Sequence, residues 1–166
     1  MYAAIDLFLE DWKKESEATL RVLTRLTDAS LSQRVGPEGR TLGFLSWHLV
    51  LTLGEMGGKA GLEVVSPPED SPEPALASEI VTAYEAASRS LTQRVREGWR
   101  DGMLGDEIPM YGSTWRRGDI LDSLVNHQIH HRGQMTVLMR QAGLVVPGIY
   151  GPAREEWAKM GMQPMR

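Results

Sequence analysis

Apolar positions recur with a helical period over four long stretches of the chain, and no stretch carries a convincing strand pattern. The first stretch, residues 3–27, aligns Ile5, Phe8, Trp12, Thr19, Leu20, Leu23 and Leu26 along one stripe, with Asp11, Lys13, Lys14, Glu17 and Arg21 opposite as a solvated face. Ser30 to Val35 reads as a short connection, and Gly36-Pro37-Glu38-Gly39 as a turn. Thr41 is placed to N-cap a second helix running to about Gly57, because its hydroxyl can accept from a backbone N–H one turn further on. That helix is apolar almost all round (Leu42, Phe44, Leu45, Trp47, Leu49, Val50, Leu51, Leu53, Met56), which predicts burial on more than one side.

Residues 61–74 carry Pro67, Pro68, Pro72 and Pro74 among acidic residues, and cannot make regular structure; they read as a loop crossing one end of the fold. A third helix is expected over Glu79 to Gly98, with Ile80, Tyr84, Ala87, Leu91 and Val95 inward. Residues 101–114 contain Gly102, Gly105, Gly112 and Pro109, with a short extended piece possible over 107–111. Ser113 or Thr114 then caps a fourth helix, which closes at Gly143 in a left-handed C-cap. An apolar, turn-rich tail follows, and Arg154 to Lys159 reads as a last short helix anchored by Trp157. Four long helices, short connections and no strands predict an all-α protein, a four-helix bundle in one domain spanning 1–166.

Composition narrows the function classes. A chain of 166 residues supports one domain with a real core. The net charge is −4 and the basic residues are dispersed, so no basic stripe awaits a phosphate backbone, and nucleic-acid binding is not expected. With no cysteines, disulfide scaffolds and thiolate metal sites are excluded. The first residues lack a cationic signal segment, and no apolar run approaches the ~20 residues of a membrane span, so a cytoplasmic protein without membrane partners is expected.

The four histidines carry the candidate chemistry. His127 and His131 share a seam of the fourth helix with Ile120, Leu124, Gln134 and Leu138, stepping by fours and threes. They stand about 6 Å apart along the axis and can share one metal ion. His48 lies on a comparable apolar row of the second helix with Phe44, Leu51 and Glu55. The same spacing also suits buried structural histidines, and the residues alone leave both readings open. His130 is turned about 60° from His127, on the flank of the seam, and reads as partly exposed, with an alternate ligand role as the other option. Glu55, two turns beyond His48, is a candidate base, ligand or partner of one, or else a helix-end carboxylate reaching solvent. Gln134 is a candidate to bond a ligand histidine or line the pocket; Tyr150 is a candidate to reach the pocket mouth, with a packing tyrosine as the preferred reading. Arg132 is expected either to anchor a carboxylate or to lie at the surface, and Gly133 to permit close helix approach.

Three stretches together carry a resemblance: Leu45-Ser46-Trp47-His48-Leu49, Asn126 to Gln134 with its His-His-Arg-Gly-Gln run, and Gly143 to Gly151. In order and spacing, over nearly the whole chain, they resemble the DinB family of metalloenzymes, whose fold is shared with YfiT-type proteins. The resemblance implies an up-down-down-up four-helix bundle, commonly a homodimer, and a divalent metal, often zinc or nickel, held by three histidines. By position these are His48, His127 and His131, with Glu55 where the family often has an acid. Three protein ligands leave a position for water or substrate, the arrangement of a catalytic site. The activity implied is that of a metal-dependent enzyme on a small-molecule substrate, first as a transferase using a low-molecular-weight thiol, second as a hydrolase. A non-enzymatic, stress-associated metal-binding protein is the reading from another class.

Overall fold

The structure is a computed structural model and describes residues 2–163. Four helices carry it: α1 (Ile5–Leu23), α2 (Leu42–Lys59), α3 (Ala77–Gly98) and α4 (Arg117–Gln141). They pack in the ring α1–α3–α2–α4, so α1 stands diagonally from α2, and α3 from α4. Side-chain pairs fix the directions. Trp12 meets Ser88 while Thr19 and Tyr84 meet on Gln128, so α1 and α3 run antiparallel. His48 meets His127, and Leu45 and Leu138 line one cavity, so α2 and α4 are antiparallel. Tyr2 lies near Asp122 and Glu15 bonds Arg132, so α1 and α4 are parallel. The order is up-down-down-up.

The stripes read from the sequence form the core. Phe8, Trp12, Leu49, Leu53, Ile80, Leu91, Ile120 and Leu121 are buried, each such apolar side chain contributing about 1.5–3 kcal/mol by leaving water. Helix α2 is buried on two sides, as its composition predicts, and the second cover is the proline-rich crossover between α2 and α3. Gly43, Gly54 and Gly57 lie on one face of α2, where a Cβ would stand 1.9 Å from Glu73 Oε1, 1.7 Å from Ser66 Oγ and 2.6 Å from Val64 Cγ2 respectively. The crossover lies flat on these glycines, and Trp47 Nε1 donates to the Ser71 carbonyl at 3.0 Å to hold it there.

Helix ends are satisfied in different ways. Thr41 Oγ1 accepts from Phe44 N at 3.0 Å, the cap its position predicts. Helices α1 and α3 have no capping side chain of their own. Distant aspartates serve instead: Asp101 accepts from Ile5 N and Asp28 from Ala77 N, each at 2.8 Å. Gly143 has φ +75° and α4 closes on Leu144 N donating to Met139 O and Gly143 N to Arg140 O, a Schellman motif.

Three local expectations are corrected. Helix α1 stops at Leu23, where the chain tightens into bonds from Arg25 N to Val22 O and Leu26 N to Leu23 O; Leu26 stays buried outside the helix. Residues 107–116 form a hairpin, β1 (Glu107–Met110) against β2 (Ser113–Arg116), antiparallel in register Ile108 to Trp115. Tyr111 and Gly112, with φ of 48° and 78°, make its two-residue turn. Ser113 and Thr114 are therefore strand residues and cap nothing. The first N–H groups of α4 bond backbone instead, Arg117 N to Asp106 O and Gly118 N to Leu104 O. The tail ends in a 3-10 helix, Arg154–Met160, on which Trp157 is half-buried, and Glu156 ties it down by accepting from Gly148 N and Ala153 N. Among the described residues no helix is long and apolar enough to cross a membrane.

Candidate metal centre

His48 projects from α2, and His127 and His131 project from the facing side of α4. The absence of proline across α4 keeps the last two one turn apart, and buried Leu45, Leu49, Leu124 and Leu138 hold the two backbones in place around them. The three rings converge. His127 Nε2 lies 3.1 Å from His48 Nε2 and 3.1 Å from His131 Nε2. One ligand nitrogen from each ring falls within 4.8 Å of the others.

These residues fit a metal ion. A tetrahedral centre with bonds of about 2.0–2.1 Å needs nitrogens roughly 3.3 Å apart, so only small movements separate the observed arrangement from that one. Hydrogen bonding alone serves the cluster poorly. His127 Nε2 faces two nitrogens and carries at most one hydrogen, so one proton cannot satisfy both contacts well. A cation facing three lone pairs can.

The protonation states agree. Burial pushes His127 down to about 4, with the charges that His131, His48 and His130 would carry adding to the effect. His48 is lowered by burial first, then by His131 and the Arg40 guanidinium, against a smaller opposing pull from Glu55. Burial also lowers His131, opposed by its bond to Gln134. All three rings are neutral at neutral pH, the form that binds metal. Gln134 is exposed at the rim of the seam, and its Oε1 takes the Nδ1–H of His131 at 2.8 Å. That bond fixes the tautomer and leaves the lone pair on Nε2, toward the other two rings. The Nδ1 of His127 is buried and meets no protein partner.

The other named residues fall around this centre. His130 stays outside the cluster, exposed, with its ring edge on His131 at 4.9 Å between centroids. Glu55 is half-buried and pairs with Lys59 at 3.2 Å, and its carboxylate helps to push up the Tyr111 hydroxyl at the hairpin tip. Gly133 faces open space, with nothing within 4 Å of a Cβ, so the expected close helix approach is not there.

Arg132 is the anchor of a carboxylate, and the carboxylate is Glu15 on α1. The guanidinium is buried and bonds the Glu15 side chain, the Glu15 carbonyl at 3.0 Å, Thr19 Oγ1 at 3.1 Å and the Tyr150 hydroxyl. Tyr150 is exposed over its ring and donates to Glu15 Oε2 at 2.7 Å; burial and the Glu15 carboxylate push it up to about 12. Gln128 extends the row, accepting at Oε1 from Thr19 and from the buried Tyr84 hydroxyl at 2.9 Å. This polar row lies beside the histidine row on α4. Its signal in the sequence is that Gln128 and Arg132 stand four apart, in line with Leu121, Val125, Met135 and Met139.

Comparison with known proteins places this arrangement. The family model described as DinB matches residues 1–165. The Bacillus subtilis protein YrdA is 45% identical over 163 residues, covering 98% of each chain. A crystal structure of a DinB-like protein from Bacillus cereus superposes with a TM-score of 0.87 at 40% identity, over 90% of this chain and 100% of that one. The DinB-like protein YjoA from Bacillus subtilis shares the fold at a TM-score of 0.68 and 14% identity, over 89% of this chain and 99% of the other. Bundle, convergent histidines and whole-length match agree: the chain belongs to the DinB family.

Proposed function

We propose that the protein is a metal-dependent enzyme acting on a small molecule, with His48, His127 and His131 holding a divalent ion, zinc or nickel, and a low-molecular-weight thiol as its co-substrate. The observation that carries this reading is the meeting of three neutral imidazole nitrogens, with only three protein ligands to offer. A divalent ion held there supplies Lewis acidity and lowers the pKa of a thiol or water that it binds.

The residues of the chain do the rest. Burial keeps the three rings unprotonated, so no proton has to be displaced before an ion is bound. Gln134 holds the His131 ring by its Nδ1–H and so orients it. Glu55, two turns along α2 from His48, is the carboxylate that takes up the thiol or water proton. Lys59 pairs with that carboxylate and holds it in place. The homodimer common in the family belongs to the same reading and is checked by sedimentation.

The test has two stages. Freshly purified protein is expected to contain about one equivalent of zinc or nickel, and His48→Ala to lose it while remaining helical; unchanged metal in that variant rejects the three-histidine assignment. The loaded protein is then given a thiol with an electrophile and, separately, ester and amide substrates. Thiol consumption supports transfer, and turnover in the second set alone supports a hydrolase. Metal bound with turnover of neither leaves a metal-binding protein and defeats the enzymatic reading.

A further inference from the structure

A cavity of about 350 Å³ opens between the N-terminal half of α2, the C-terminal half of α4 and the loop before Thr41. That volume is at the small end of ligand sites. Its walls are apolar, formed by Val35, Leu45, Val137 and Leu138. Two polar side chains interrupt them, and both also belong to the surroundings of the histidines.

The first is Gln134. Its Oε1 is occupied by His131, and the residue is exposed at the cavity rim. The second is Arg40. Its guanidinium lies 5.0 Å over the Phe44 ring, and Phe44 stacks on His48 with centroids 5.9 Å apart and planes 14° from parallel. Guanidinium, phenyl and imidazole thus form one stack leading from the cavity to the metal centre. The positive field of Arg40 reaches both His48 and His131.

Among the described residues no ion pair engages Arg40, in a chain with 22 acidic and 18 basic side chains. An exposed arginine stacked on an aromatic face is held in orientation by it, with its outward N–H groups open to a planar anion. Apolar walls with one oriented guanidinium select a molecule that is hydrocarbon at one end and carboxylate at the other.

We propose that this cavity binds a small branched or linear aliphatic carboxylate, its hydrocarbon against Val35, Leu45, Val137 and Leu138 and its carboxylate on Arg40, as the substrate subsite of the metal centre. Its place as a substrate subsite rests on the enzymatic reading above, whereas the binding itself does not. The preference for an acid over its neutral isostere comes from Arg40, and the ion is not needed for it.

The test is calorimetric titration of 4-methylpentanoate and of 4-methylpentanamide into the protein with and without zinc. The acid is expected to bind about ten-fold or more tightly than the amide, in both forms of the protein. Arg40→Gln removes that difference without lowering zinc content, because the residue is exposed and is not among the ligands. Val137→Asp weakens both ligands. Equal binding of acid and amide, unaltered acid binding by Arg40→Gln, or no binding of either overturns the proposal. Acid binding that requires zinc and ignores Arg40 overturns it too, since the carboxylate then sits on the ion. Failure of the metal reading shows separately, as wild-type protein that takes up no zinc.

Discussion

At the scale of single residues, two neighbours on α4 have opposite fates. His131 turns toward α2 and Arg132 toward α1, so one helix carries a histidine row that could hold a metal and a buried ionic row side by side. Gln134→Leu removes the acceptor that orients His131. It is expected to cut metal affinity by about 10- to 100-fold, measured by competition with a chelating dye, with little loss of stability. Glu15→Ala leaves the Arg132 guanidinium buried without its counter-charge, since the side chains are only 3% and 13% exposed. A loss of about 3–5 kcal/mol is expected in urea unfolding, and pairing it with Arg132→Met is expected to recover part of that. The histidines could be found in the sequence because they are few and one pair is spaced by a helical turn. The Arg132–Glu15 pair could not, because its partners are 117 residues apart and nothing local distinguishes Glu15 from the acids around it.

At the scale of elements, the glycines of α2 and α4 separate two uses of one residue type. Gly54 lies under the crossover, where an alanine Cβ would meet Ser66 Oγ at 1.7 Å. Gly133 faces open space on the exposed side of α4. Alanine is worth up to about 1 kcal/mol over glycine inside a helix, so Gly133→Ala is expected to raise the thermal midpoint. Gly54→Ala is expected to lower it, the overpacking costing roughly 1–3 kcal/mol against that gain. Helix α2 was legible as doubly buried from its composition, but not what buried it, since a proline-rich segment has no period to show which face it covers. The extended piece over 107–111 was legible, but its pairing into a hairpin was not, for a local reason. Pro109 breaks the strand pattern, and its turn is Tyr111-Gly112 instead of the asparagine–glycine pair that marks such turns. The order of the four helices and the caps at Thr41 and Gly143 were legible because periodicity and capping chemistry are local. The remote caps from Asp28 and Asp101 were not, because they are made only once the bundle has closed.

At the scale of the molecule, the neutral triad links stability to pH. The folded protein holds His127 near 4 against 6.5 for a free imidazole, so between those values the unfolded chain binds more protons than the folded one. Stability of the metal-free protein is therefore complete above about 6.5 and falls as pH drops through that window. Urea midpoints taken across it are expected to decline more steeply for wild type than for His127→Ala. Added zinc is expected to raise the midpoints at neutral pH by mass action, about 2.7 kcal/mol at a hundred times the dissociation constant, and to lose that effect as the rings protonate; midpoints unmoved by zinc reject metal binding at the triad. The contact between His48 and His127 spans 79 residues of chain. During synthesis the first imidazole is thus exposed alone while the crossover, α3 and the hairpin are still being made. Only when α4 has left the ribosome can the three rings meet, so any ion they hold would join helices already made and act as a late lock on the bundle.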